Sequence, residues 1–231
     1  MSRTKIGMLA LVVFAGGVAQ AEVVTTSGPH SYSWSEPDAV DFYKLATEDG
    51  SAESSIGFGS VGTLAYANKF AIAPGGETIT HINLVWGADA ANVPHTFAIW
   101  QSSGLLSSMG LASSPVTVSG GSAGSTSSID IPDATFNVGD IVYIGFVAEG
   151  GPTSYFGAWD NSAPHGGASY IWGTGSTGAF TAANIGAAAV AGEIGGFGLA
   201  GDWTIRANAV PAPGGLLVLT GALGAAVRRR R

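Results

Sequence analysis

Residues 64–86 read LAYANKFAIAPGGETITHINLVW, and the fold class follows from how that stretch is punctuated. Two apolar runs, Leu64 to Ile72 and Ile79 to Trp86, flank the cluster Ala73-Pro74-Gly75-Gly76-Glu77. Proline and paired glycines between two such runs are the chemistry of a turn joining antiparallel strands. In the second run Ile79, His81 and Asn83 fall on one side of a period-2 pattern, and Ile82, Leu84 and Trp86 on the other. Alternation of this kind reads as a strand with one face buried.

Working outward, the same pattern recurs. Strands are expected at Thr96 to Gln101, Pro115 to Val118, Ser127 to Ile131, Ile141 to Val147, Thr153 to Trp159, Ser169 to Trp172 and Trp203 to Ala207. Phe136-Asn137-Val138-Gly139-Asp140 is the turn feeding the strand at Ile141, with Gly139-Asp140 its tight corner. Nine candidate strands without a strong amphipathic helix predict an all-β fold, an antiparallel β-sandwich of jelly-roll-like type. A short helix fits only at Ala182 to Ala191, where Gly186 weakens it. Asp38 to Leu45 suits a short strand or turn, Glu48 to Ser60 is polar and glycine-bearing, and Ser119 to Thr126 reads as a Gly/Ser loop.

Cysteine is absent, so the body is held by its core alone. Its ends are different in character. Arg3 and Lys5 precede an apolar run from Ile6 to Val18, and Ala19-Gln20-Ala21 follows as a small-x-small site. That order is an export signal peptide over residues 1–21, with signal peptidase and the Sec machinery as its partners and Glu22 as the mature start. At the other end Val210-Pro211-Ala212-Pro213-Gly214 is followed by an uncharged run from Leu216 to Val227 and by Arg228, Arg229, Arg230 and Arg231. The prolines separate the domain from the tail, and the apolar run is a short membrane helix, less than the roughly 20 residues of a full span. The arginines act as its cytoplasmic stop. Three units follow: the signal peptide at 1–21, a β-sandwich ectodomain at 22–209 and a sorting segment at 210–231.

The tail, with its Pro-x-Pro, short apolar helix and arginine cluster, resembles the PEP-CTERM sorting signal. The resemblance implies export, transient residence in the inner membrane, and cleavage by an exosortase near the prolines, in a bacterium that makes exopolysaccharide. The family usually carries Glu between the prolines; here the position is Ala212. The body is similar to the β-sandwich ectodomains of such cargo in Tyr66 to Ala71 with its Gly-Gly turn, in the Asn137 to Asp140 corner, and in Asp202-Trp203-Thr204-Ile205-Arg206.

Without the two terminal segments the body keeps three basic residues, Lys44, Lys69 and Arg206, against all 16 acidic ones, a net charge of −13. Such a body repels nucleic acid and anionic lipid, and nucleic-acid binding is excluded. The catalytic patterns in the chain lack their settings. Gly57 to Gly62, Gly173 to Gly178 and Gly196 to Gly201 match G-x-G-x-x-G without a following helix. Gly120-Gly121-Ser122-Ala123-Gly124 matches G-x-S-x-G inside a loop rather than at a strand-to-helix elbow. His30, His81, His95 and His165 have no metal-ligand spacing, so no metal centre is assigned and no cofactor is required. Calcium remains open through Asp38 with Asp41, Glu48 with Asp49, or Asp130 with Asp133.

Aromatic residues offer a route to binding, since a flat ring stacks on the C–H face of a sugar. The competing role for Trp86, Trp100, Trp159, Trp172 and Trp203 is the core itself. The core role is the favoured one; if a ring is exposed for binding, it is Trp159 or Trp172, with Asp160 and Asn161 as polar partners. The sequence thus points to a non-enzymatic exported protein of the surface or extracellular matrix. The rivals are a carbohydrate-binding module for exopolysaccharide, and a secreted hydrolase that would need facing carboxylates or a Ser-His pair.

Overall fold

The computed structural model describes residues 23–27, 43–47, 52, 54–58, 62–102, 104–150, 154–161, 168–174 and 179–212. They form fifteen strands: β1 Val23–Ser27, β2 Tyr43–Leu45, β3 Ser54–Phe58, β4 Gly62–Ala71, β5 Thr78–Val85, β6 Pro94–Ser102, β7 Met109–Leu111, β8 Val116–Ser119, β9 Thr126–Thr135, β10 Ile141–Gly150, β11 Ser154–Asp160, β12 Ser169–Gly173, β13 Val190–Glu193, β14 Asp202–Trp203 and β15 Ile205–Val210. Each of the nine expected strands has a counterpart among them. The fold is all-β, and every pairing between these strands is antiparallel.

One layer runs β13-β12-β4-β10-β6, with β7 and β8 paired to opposite ends of β6. The other is built from β1-β3-β11-β14 and β2-β15-β5-β9. These two sheets meet where Trp86 bridges Gly157 and where Val85 N–H donates to the Thr204 carbonyl at 3.2 Å. The expected strand from Trp203 to Ala207 is broken at that seam. Thr204 turns aside to bond Ala158, so Asp202–Trp203 extends one sheet and Ile205 onward extends the other.

Period-2 patterning sorts β4 onto two faces. Leu64, Tyr66 and Phe70 enter the core between the layers with Ile56, Ile82, Leu84, Phe97, Phe146 and Trp203. Ala65 and Ala67 face the opposite side, where a second cluster gathers Trp100, Tyr143, Val147, Trp172, Phe180 and Ile185. Asn68 is the polar residue on the inward face of β4. Its Nδ2 donates to the Trp203 and Ile205 carbonyls at 2.8 and 2.9 Å, tying the layers together through groups a hydrophobe would leave unpaired.

The turns form as their residues require. In the β4–β5 turn Gly75 has φ +92° and Gly76 N–H bonds the Ala73 carbonyl at 3.1 Å. At the β9–β10 corner Gly139 has φ +93°, and Asp140 accepts the Asn137 N–H at 2.9 Å.

Three expectations change. Ile79 belongs to the inter-layer core with Ile82 and Leu84, because the register shifts between Ile79 and His81 on both neighbouring strands. A bulge moves a residue to the other face, which simple alternation does not anticipate. Ala182 to Ala191 holds a 3-10 turn over Ala182–Ala187 followed by β13, and not an α-helix. The polar stretch after Glu48 contains β3, whose small residues let β11 approach: a Cβ on Gly57 would collide with the Ser154 carbonyl. The loop expected from Ser119 to Thr126 is present between β8 and β9, and it is fastened to the sheet, with Gly120 N–H on the Val93 carbonyl at 2.8 Å and Gly124 N–H on that of Trp86 at 2.9 Å.

Candidate functional site

Sugar stacking needs an open ring, and neither Trp159 nor Trp172 provides one, in keeping with the favoured core role. Trp159, on β11 opposite Trp203 of β14, is 8% exposed and belongs to the core between the layers. Trp172, on β12, is 0% exposed and lies in the cluster on the other face of the large sheet, 6.0 Å from Tyr143 and from Tyr170. The structure therefore does not bring the two rings together. Asp160 ends β11 buried opposite Asp202, whereas Asn161 is exposed just beyond the strand. Burial of large rings where strands need volume explains this outcome.

Two polar groups inside the core have chemistry of their own. Ser169 Oγ lies 2.6 Å from Asn68 Oδ1 and 2.8 Å from Asp202 Oδ1, and it accepts the Trp203 N–H at 3.0 Å. This links β4, β12 and β14 and is structural in kind. His95 on β6 points into a ring cluster of Trp86, Phe156 and Phe146 at 4.9, 5.1 and 5.2 Å. Its Nδ1 is 2.7 Å from the Val93 carbonyl, which can only accept, so Nδ1 carries the proton. Nε2 is buried without a partner among the described residues. Burial lowers the imidazole to about 4, against the opposing pull of Val93, and the ring is neutral at pH 7.

The other catalytic candidates stay apart. Ser122 of the G-x-S-x-G match is exposed in a turn, its carbonyl accepting from Ser125, and the chain continues into β9 rather than a helix. The glycine pattern at Gly196 to Gly201 closes a 3-10 turn, with Gly198 at φ +75°, and leads into β14. No group of three metal-ligating side chains exists among the described residues. Asp130 and Asp133 are both exposed on β9, with Asp130 4.0 Å from His81 Nε2. The signal peptide, His30, His165, the pairs Asp38 with Asp41 and Glu48 with Asp49, and Pro213, Gly214 and Arg228 to Arg231 lie outside the described residues, as does the tail from 213 onward.

The start of the sorting segment is described. Val210 pairs with Thr78 in the β15–β5 ladder, and Ala212 N–H donates to Glu77 Oε2 at 3.3 Å. The same carboxylate accepts Gly75 N–H at 3.1 Å. These amides, Gly75 foremost, hold the Glu77 carboxyl below its ordinary value. The β4–β5 turn thus clasps the chain as it leaves the domain.

A concave feature lies on the outer face of the seven-stranded sheet, a groove of about 530 Å³. Strand register builds it. Ala65, Val147, Thr96 and Thr117 stand in one row across β4, β10, β6 and β8; Thr63, Glu149 and Pro94 belong to its lower end. The Phe180 to Ala183 segment forms the far wall, pinned by Trp100 Nε1 on the Ala182 carbonyl at 2.8 Å. Val147, Phe180 and Ala182 make an apolar floor, and Thr96, Glu149 and Thr181 a polar rim. Sequence reasoning missed this set because its members come from segments up to 120 residues apart. The one local trace is Glu149, a charge closing the apolar run of β10.

No family model matches the chain, and no curated protein does. Among solved structures it is similar to a surface-layer-associated protein of Clostridium difficile, in the crystal structure of that protein's cysteine protease and lectin-like domains. The TM-score is 0.54 at 15% identity, over 77% of this chain and 37% of that one. At such identity the likeness is one of fold. With no cysteine in its sequence, this chain has no thiol nucleophile to offer.

Proposed function

We propose that the chain is an exported, non-enzymatic protein of the cell surface or extracellular matrix whose sandwich works by holding polysaccharide. The observation that carries the binding role is the groove on the large sheet. Its apolar floor suits the C–H faces of sugar rings, and its threonine and glutamate rim suits their hydroxyls. Glu149 is the one titratable residue lining it among the described residues, whereas hydrolysis of a glycosidic bond ordinarily uses two carboxylates roughly 5–10 Å apart. Likeness in fold to a structure that includes lectin-like domains supports the same reading.

Export and sorting rest on the terminal segments. Signal peptidase and the Sec machinery act at residues 1–21, the inner membrane holds the tail transiently, and an exosortase cuts near Pro211 to Gly214 before release to the surface or medium. Intact-mass analysis of the protein from its native envelope and medium tests this part. A species running from Glu22 to the proline segment is expected, and a membrane species that keeps Arg231 would overturn it. For the binding part, the mature protein is expected to retain exopolysaccharide in a pull-down; retention of no glycan by the wild type would overturn it. Trp159→Ala does not test binding, because that ring is core.

A further inference from the structure

The charges around the groove narrow its ligand class, and this step rests on the polysaccharide reading above. Glu149 is exposed at the end of β10, opposite Thr63 of β4, and no described residue bonds or pairs with its carboxylate. Among the described side chains, neither of the body's basic residues Lys69 and Arg206 lines the groove. Lys69 shares the face but stands six residues along β4 from Thr63, about 20 Å at ~3.3 Å per residue. It is engaged with Tyr170, at 3.2 Å to the hydroxyl and 5.4 Å to the ring centre. Arg206 is buried in the opposite layer, and Lys44 lies on β2 of that layer.

A saccharide bearing carboxylate, sulfate or phosphate would therefore approach a carboxylate within a body of net charge −13, with no cation among the described lining residues to receive it. An ammonium group finds the reverse. Thr63 Oγ1, buried in the groove wall with no hydrogen-bond partner among the described residues, is the kind of group a ligand hydroxyl relieves. We propose that the groove takes a polysaccharide carrying free amino groups, an amino-sugar chain whose ammonium pairs with the Glu149 carboxylate while its hydroxyls meet Thr96 and Thr181.

Calorimetric titration of the mature protein with glucosamine hexamer, N-acetylglucosamine hexamer and an oligouronate, at physiological salt, tests this. Glucosamine hexamer is expected to bind about fivefold more tightly than its acetylated form, the scale of an exposed ion pair, and the oligouronate not at all. Glu149→Gln, at an exposed position, should abolish the preference, and Ala183→Trp, which fills the groove from its rim, should abolish binding. Equal binding of both hexamers, or a preference that survives Glu149→Gln, would overturn the amino-sugar assignment while leaving the polysaccharide reading intact. Binding that survives Ala183→Trp would place the ligand elsewhere. Binding of no saccharide would remove the polysaccharide reading itself.

Discussion

His95 and Trp159 show how a single side chain answers to its surroundings rather than to its type. Enclosed by three aromatic rings, His95 takes up a proton only near pH 4 in the native state, whereas in the unfolded chain it does so near its ordinary 6.5. The unfolded state therefore binds more protons in that window, and stability falls as pH drops from about 6.5 toward 4. The limit is about 3 kcal/mol. Urea midpoints of wild type and His95→Leu between pH 4.5 and 7.5 measure it, and the variant should have the flatter profile. Trp159→Ala should cost about 3–5 kcal/mol through lost burial and the cavity left behind. Chemical denaturation reads that loss, and a value below 1 kcal/mol would contradict core placement. From sequence, core is the favoured role of Trp159, and the structure bears it out; Asp160 and Asn161 beside it kept a binding edge as the alternative, since exposure depends on what packs above the ring.

Among elements, the β4–β5 turn has a second task beyond reversing the chain. Glu77 accepts the Ala212 amide as well as that of Gly75, so the folded domain reaches into the Pro-x-Pro segment instead of ending before it. Glu77→Ala is expected to raise the hydrogen-exchange rate of the Ala212 amide by about tenfold with little change in β15 protection. The Glu77 carboxyl is depressed in the folded state, so its clasp is complete above the unfolded value and is lost as pH falls through the folded one. Ala212 exchange, corrected for intrinsic rates, should reflect that loss at acidic pH. The turn was legible because Pro74, Gly75 and Gly76 carry their conformations locally. The clasp was not, because its partners are 135 residues apart. Strand β3 escaped notice for a related reason: Ser54, Ser55 and Gly57 are small so that backbone can approach backbone, and such residues otherwise signal loop.

For the whole molecule, non-local pairing governs behaviour. β4 pairs with β10 about 80 residues later, and β5 pairs with β15 near the end of the described chain. Loop closure on that scale precedes most stabilising contacts, so refolding should take milliseconds to seconds. With no cysteine, reductant should leave the rate unchanged. Stopped-flow tryptophan fluorescence with and without dithiothreitol checks both.

Composition and period were enough to establish an all-β chain, its turns, its acidic body and its freedom from disulfides, because those depend on residues a few positions apart. Which tryptophans are buried, where Ile79 points, and that Thr63, Thr96, Glu149 and Thr181 share a groove were decided by tertiary structure alone. Register and layer packing set those distances, and both arise from contacts between segments that the chain keeps far apart.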